Sequence, residues 1–154
     1  MGKTTRQGEC PVGRAVDVFG DEWSLLIVRD VFDGLRRFGE LQKSLGMAKN
    51  ILASRLRKLV EHGLLEMVPA SDGSAFHEYA LTTKGQDLFR VIVAIRQWGE
   101  AHCFKPDEPH SVLVDTESGR PVPRMELRAK DGRRIDSTDA VVKKVSEQKS
   151  RAKR

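Results

Sequence analysis

Residues 38–63, FGELQKSLGMAKNILASRLRKLVEHG, read as a helix, a short turn and a second helix, and the rest of the chain makes sense as their support. In the second segment Ala48, Leu52, Leu56, Leu59 and Val60 fall on one stripe of a helix turning about 100° per residue. The opposite side carries Asn50, Ala53, Ser54, Arg57 and Glu61, flanked by Lys49 and Lys58. Long donors beside short side chains are what a helix needs to lie in a DNA major groove and reach base edges. His62-Gly63 supplies a stop, because glycine takes the left-handed conformation at a helix end without a Cβ penalty. Alone, such a helix fits an ordinary solvated surface face better than a DNA reader. Its neighbours have to decide.

Upstream, Cys10-Pro11 opens a short helical pattern through Val12, Ala15, Val16 and Phe19, ending at Gly20. Asp21-Glu22 then place carboxylates ahead of Trp23, Leu25, Leu26, Ile27, Val28, Val31 and Phe32, the start signal of a buried helix that Gly34 closes. The third helix begins at Phe38 and runs through Leu41 and Leu45 to Gly46, and Trp23, Phe38, Leu41, Leu52, Leu56 and Leu59 are assigned to the core. Downstream, residues 64–68 and 75–81 flank a Ser-Asp-Gly turn and read as a hairpin. A hairpin directly after a helix-turn-helix is the wing of a winged helix. Residues 82–85 start a last helix carrying Leu88, Phe89, Val91, Ile92, Ile95 and Trp98 and finishing at Cys103, apolar over a wider arc than one small domain buries. That surplus points to dimerisation, with Trp98 in the core or at the interface.

The expected organisation is a loose N-terminus (residues 1–9), a DNA-binding and dimerisation domain (10–104) and an extension (105–154). The extension reads as a second hairpin around the turn at Glu117-Ser118-Gly119, a short helix over 137–148 and a basic end. The fold class is mainly α with a small β-wing (α+β), a winged helix-turn-helix with a C-terminal β-hairpin extension. With 27 basic and 22 acidic residues the chain carries +5, but residues 120–154 hold 12 basic against 5 acidic, leaving 1–119 with 15 against 17, a net of −2. Bulk charge therefore says little about nucleic acid in the reader domain, and local placement must carry that inference.

No apolar run approaches the roughly 20 residues that span a bilayer, and the start MGKTTRQGEC has no apolar core, so the expectation is a cytoplasmic protein without a membrane role. Two cysteines, Cys10 and Cys103, are too few for a disulfide scaffold or a cysteine zinc site. An enzyme built on Cys103 is disfavoured, because neighbouring His102 points about 100° away around a helix. No paired carboxylates, metal-ligand spacing or glycine-rich phosphate loop is present, so neither cofactor nor metal is expected. The remaining alternative from another class is a winged-helix protein-interaction module without sequence-specific DNA binding.

Cys-Pro-Val before the first helix, Gly-x-x-Trp into an apolar helix, Gly-x-x-Arg-Phe-x-Glu-Leu, Leu-x-x-Arg-Leu-x-x-Leu-x-x-x-Gly-Leu, Tyr-x-Leu-Thr-x-x-Gly and the late Trp-Gly occur in this order across about residues 8–104. Together they resemble the HxlR family of winged helix-turn-helix transcription regulators, relatives of the MarR class. The resemblance implies a homodimer joined through its first and last helices, with two reader helices set for successive major grooves of a palindromic double-stranded operator, more in the manner of a repressor than an activator. It implies groove contacts from Lys49, Asn50, Ser54 and Arg57, with Ala53 against a thymine methyl. Asn suits adenine and Arg suits guanine, each pairing giving about 1–3 kcal/mol of discrimination. Arg37 becomes the candidate phosphate contact. Ser71, Ser74 and His77 are the wing's candidates, opposed by Asp72 in a wing without Arg or Lys. The resemblance also implies a small-molecule or oxidant effector, with Cys10 as the sensing thiol, since it lies at a helix N-terminus before Arg14, an environment that favours thiolates. Cys103 is its candidate partner across the dimer, provided the two α-carbons come within about 6 Å.

Overall fold

A computed structural model describes residues 8–145 and Gln148. The chain runs through α1 (Pro11–Phe19), α2 (Ser24–Phe32), α3 (Phe38–Leu45), α4 (Lys49–Glu61), β1 (Leu65–Pro69), β2 (His77–Leu81), α5 (Thr83–Gln86) and α6 (Phe89–His102). It divides into two compact units, Met1–Ile95 and Arg96–Arg154, with the division falling inside α6. The first unit is mostly helical with one small antiparallel sheet, β1 against β2 in a register from Leu65↔Leu81 to Pro69↔His77. This is the winged helix expected from the sequence.

One apolar cluster organises the first unit. Ile27, Val28 and Val31 of α2 meet Leu41 of α3, Leu52, Leu56 and Leu59 of α4, and Leu64, Leu65 and Leu88. Each such side chain contributes about 1.5–3 kcal/mol when withdrawn from water. Phe38 and Trp23, assigned to the core, are half-buried at its margin. Ala48 does not join the buried stripe. It is exposed at the N-cap of α4 with extended backbone, and Met47 from the turn occupies the place instead, 5% exposed. Gln42 steadies that turn by donating from Nε2 to the Met47 carbonyl at 3.3 Å. The helix stop is as expected, with His62 at the C-cap and Gly63 at φ 69°.

The helix expected from Thr82 to Cys103 is two helices broken at Asp87-Leu88. Thr82 accepts from the Gly85 amide and donates to the Gly63 carbonyl, while Lys84 Nζ reaches the His62 carbonyl at 2.7 Å. These bonds pin α5 to the end of α4. Gly85 then lies so close to the Leu64 carbonyl that a Cβ would collide with it. Amphipathic periodicity runs through the break, so pattern alone had no means of showing it.

In the second unit the expected hairpin amounts to a single antiparallel bridge, Val114↔Pro121, with a further bridge at Arg128↔Arg134. Asp115, Ser118 and the adjoining amides hydrogen-bond among themselves and tighten the turn. The expected helix over 137–148 is absent from 137–144: residues 137–139 lie in a turn closed by the Asp139 amide on the Asp136 carbonyl. The rest of that expectation falls largely on residues outside those described. Among the described residues no helix is long and apolar enough to cross a membrane.

Asp21 fastens α2 and α4 together. Its carboxylate accepts from the Trp23 and Ser24 amides and from the Ser24 hydroxyl, capping α2 from outside its first turn. Arg55 and Lys58 of α4 approach the same carboxylate at 3.7 and 3.9 Å. Burial opposes its ionisation, but the Ser24 and Trp23 hydrogen bonds and the Arg55 charge outweigh burial and hold Asp21 below the ordinary carboxylate pKa. Asp21→Ala removes this cap and strands the fully buried Ser24 hydroxyl, at a cost of about 1–2 kcal/mol in urea unfolding at neutral pH. Because the folded-state pKa is depressed, the difference from wild type is complete above about pH 4 and closes as the pH falls through the folded value.

Candidate nucleic-acid interface

The outer face of α4 is built by what its inner face does. With Leu52, Leu56 and Leu59 locked in the core, helical geometry turns Asn50, Ser54 and Arg57 outward, and all three are exposed, as is Lys49 at the first turn. Among the described residues no side-chain hydrogen bond or ion pair holds any of these four, which leaves their donors and acceptors available. Ala53 is half-buried between the two faces. Lys58, expected to flank the outer face, instead reaches toward Asp21 on the α2 side. Arg55 makes the second tie to that carboxylate. Sequence reading missed this role, whose only trace was an acidic pair at the start of the helix that packs behind α4.

The wing is attached through charge. Glu78 of β2 is 3% exposed, and its Oε1 receives the Ser71 hydroxyl at 3.0 Å and Arg37 at 3.5 Å. Arg36 stands 4.0 Å from the other oxygen. Arg37 also donates to Asp72 at the wing turn at 2.5 Å, and Asp72 accepts from the Ser74 amide at 2.9 Å. The Asp72 bond and charge, with help from Glu78, raise the Arg37 pKa, and the same bond holds Asp72 well below the usual carboxylate range. Glu40 is likewise depressed by accepting from the Arg37 and Arg36 amides, which closes the N-terminus of α3. One backbone bond, Tyr79 amide to Arg36 carbonyl at 2.8 Å, sets β2 beside the entry to α3.

The proposed wing contacts thus divide. Arg37 spends its guanidinium on two carboxylates, and Ser71 on Glu78. Ser74 is half-buried with a hydroxyl that has no partner, and His77 is exposed at the start of β2. The negative charge of Asp72, which would oppose a phosphate, is offset by Arg37 within the wing. Phe76, an apolar residue of the expected second wing strand, lies just before β2 and is 70% exposed beside them.

Cys10 is half-buried at the N-cap of α1, where its Sγ accepts from the Gly13 amide at 3.4 Å, and Arg14 Nε donates to the Gly8 carbonyl at 2.7 Å. Cys103 is an exposed thiol just past α6. Val12 and Val16 of α1 are 71% and 54% exposed, and α1 buries no residue.

A sequence profile described as HxlR-like helix-turn-helix matches residues 18–107. The uncharacterised HTH-type transcriptional regulator Rv3095 of Mycobacterium tuberculosis is 49% identical over 98 residues, 64% of this chain and 62% of its own length, so the chain spans under two thirds of that relative. PA1607, a solved structure described as a candidate transcription factor, superposes with a TM-score of 0.85 at 58% identity, covering 92% of this chain and 99% of its own. A likeness of that reach takes in most of the extension. The redox regulator HypR in its oxidised form superposes with a TM-score of 0.55 at 28% identity over 60% of this chain and 97% of its own.

Arg37→Ala tests the wing attachment directly. It leaves Glu78 buried with Ser71 and a distant Arg36, so hydrogen exchange read by mass spectrometry quickens across residues 69–77 while that of α4 stays unchanged. Unaltered exchange in the wing would show that Arg37 does not hold it.

Proposed function

The chain belongs to the HxlR-like helix-turn-helix family, and on that premise we propose that it is a homodimeric transcription regulator acting on a palindromic double-stranded operator in the cytoplasm, as a repressor. The observation that carries this reading is the outer face of α4: four exposed polar or basic side chains, unpaired among the described residues, on a helix immobilised from behind and followed at once by a wing. Asn50 and Arg57 are the base readers, Ser54 and Lys49 adjust register and phosphate contact, and Ala53 packs on a thymine methyl. Ser71, Ser74 and His77 bring the wing to the backbone, and Arg37 reaches phosphate on exchange from Asp72. Repression follows from occupancy, because a dimer seated on an operator excludes polymerase without further machinery.

Two subunits are needed because the first 119 residues carry a net of −2 and each reader alone has little electrostatic attraction for DNA. The exposed valines of α1 and the exposed Ile95 on α6 are the surfaces that a second copy covers. The relatives found are named transcription regulators and not enzymes. Fluorescence anisotropy with promoter fragments from the protein's own locus, at two salt concentrations, tests the reading. Tight, salt-weakened binding to one fragment supports it; failure on every flanking promoter favours a protein-interaction module. Arg57→Ala lowers affinity for that operator by about 1–3 kcal/mol and for random DNA much less. Equal weakening of both would reduce Arg57 to a phosphate contact.

A redox response is favoured by the position of Cys10. Its sulfur faces the amides at the N-terminus of α1, on a helix whose apolar face is assigned to the dimer. Peroxide oxidising Cys10 of one subunit and Cys103 of the other forms one S–S bond and two waters, locking the dimer in a state with altered operator affinity. A non-reducing gel after mild peroxide treatment shows a crosslinked dimer for wild type and none for Cys10→Ser. Crosslinking of Cys10→Ser to the same extent would remove Cys10 from the mechanism.

A further inference from the structure

The second unit, Arg96–Arg154, is ordered without a core of its own. Among its described residues none is buried, and its only β structure is two isolated bridges. Such ladders are marginal in water even with an apolar face covered, and fixing a backbone without burying side chains is opposed by about 1–2 kcal/mol of entropy per residue. The apolar side chains that ought to supply that burial are present but open: Trp98 is 62% exposed, Phe104 40%, Val112 55%, Val114 45%, Met125 43% and Leu127 72%. Six large apolar side chains are thus left at 40–72% exposure, while a standard stable interface takes roughly 800 Å² from each partner. Three arginines of this unit are engaged within it: Arg128 pairs with Glu126, Arg133 with Asp139 and Arg134 with Asp136.

The extension is fastened to α6 by two adjacent side chains. Arg96 donates to the Ser111 carbonyl at 2.9 Å and to its hydroxyl at 3.1 Å. Gln97 donates from Nε2 to the Pro123 carbonyl at 3.0 Å and accepts from the Met125 amide at 2.8 Å. These bonds tie Ser111, Pro123 and Met125 to the part of α6 that lies in the second unit. We infer that the extension is a second dimerisation layer, in which the open apolar surface of Trp98, Val112, Val114, Met125 and Leu127 closes on a second copy of this chain. The inference rests on the homodimer reading above. That reading brings α6 to the two-fold axis, and the side-chain bonds from Arg96 and Gln97 then carry the apolar strip to the same axis. There the contact between last helices makes up the remaining area.

Sedimentation velocity on the full chain over a dilution series tests this with three variants. Met125→Asp/Leu127→Asp places charge on side chains already open to water, so circular dichroism stays that of wild type while the dimer Kd rises at least about tenfold, the equivalent of about 1.4 kcal/mol. Gln97→Leu unfastens the extension without touching the apolar strip and weakens the dimer in the same direction. Val12→Asp/Val16→Asp probes the first-helix contact separately. A wild-type chain that stays monomeric at every concentration overturns the homodimer reading and this inference with it. A wild-type dimer whose Kd is weakened by the α1 variant but unchanged by the extension variants leaves the homodimer standing and overturns the extension's role. Unchanged dimerisation with lost operator binding in Met125→Asp/Leu127→Asp overturns it equally, and assigns the strip to DNA.

Discussion

Everything the outer face of α4 presents depends on that helix being unable to roll. Two independent restraints prevent it. Leu52, Leu56 and Leu59, each at 1% exposure or less, key into the cluster formed with Ile27 and Leu41, and rotation would bring them into water. Arg55 and Lys58, a quarter-turn around, converge on Asp21 at the mouth of α2. Apolar packing fixes both the distance of the helix from the core and its angle about its own axis, and the ion pairs at 3.7 and 3.9 Å reinforce that angle. A reader helix restrained in both coordinates loses little freedom on meeting a groove, which favours discrimination among sequences over tolerance of many.

The wing is held by a different kind of force. Its apolar contribution is modest, with Met67 and Phe76 largely exposed, and its attachment runs through the buried Glu78 and the two arginines that precede α3. A buried carboxylate is costly to strand and of little net benefit against an apolar substitute, so such a cluster specifies geometry more than it adds stability. Arg37 is common to both halves of it, touching the wing turn through Asp72 and the wing strand through Glu78. On the proposed DNA-binding reading, a phosphate arriving at Arg37 would compete with the contact that positions the wing.

Most of the residues that pack were legible in the sequence, with Met47 in place of Ala48 the exception on α4's stripe, and those that pair across the fold were not. Periodicity sufficed for α4 because a three-leucine seam has one meaning, and Gly63 at φ 69° ends the helix where a glycine after His62 says it should. The outward turn of Asn50, Ser54 and Arg57 followed from that seam. By contrast, Lys58 was assigned to the reader face on angle alone, whereas a four-carbon stem lets its ammonium reach Asp21 on the other side. Arg37 reads as a candidate phosphate contact because nothing local shows that Asp72 and Glu78, 35 and 41 residues away, return to it. The break between α5 and α6 escaped for a similar reason. It is accompanied by a close approach of the Leu64 carbonyl to Gly85, a backbone contact that leaves no mark in the hydrophobic pattern.

That last contact has a bearing on how regulators of this build diverge. Within the first unit, the corner between α5 and α6 is packed where main chain meets main chain, at a glycine that no residue with a Cβ could replace. Ordinary substitutions at the surface of α6 therefore alter which partner face is attractive without steering the helix. If α6 sets the distance between two readers, half-site spacing is an inherited constant of the scaffold while the bases read at each half-site are free to drift. New operators are then reached by changing letters at fixed separation, and a change of separation demands rebuilding the corner itself.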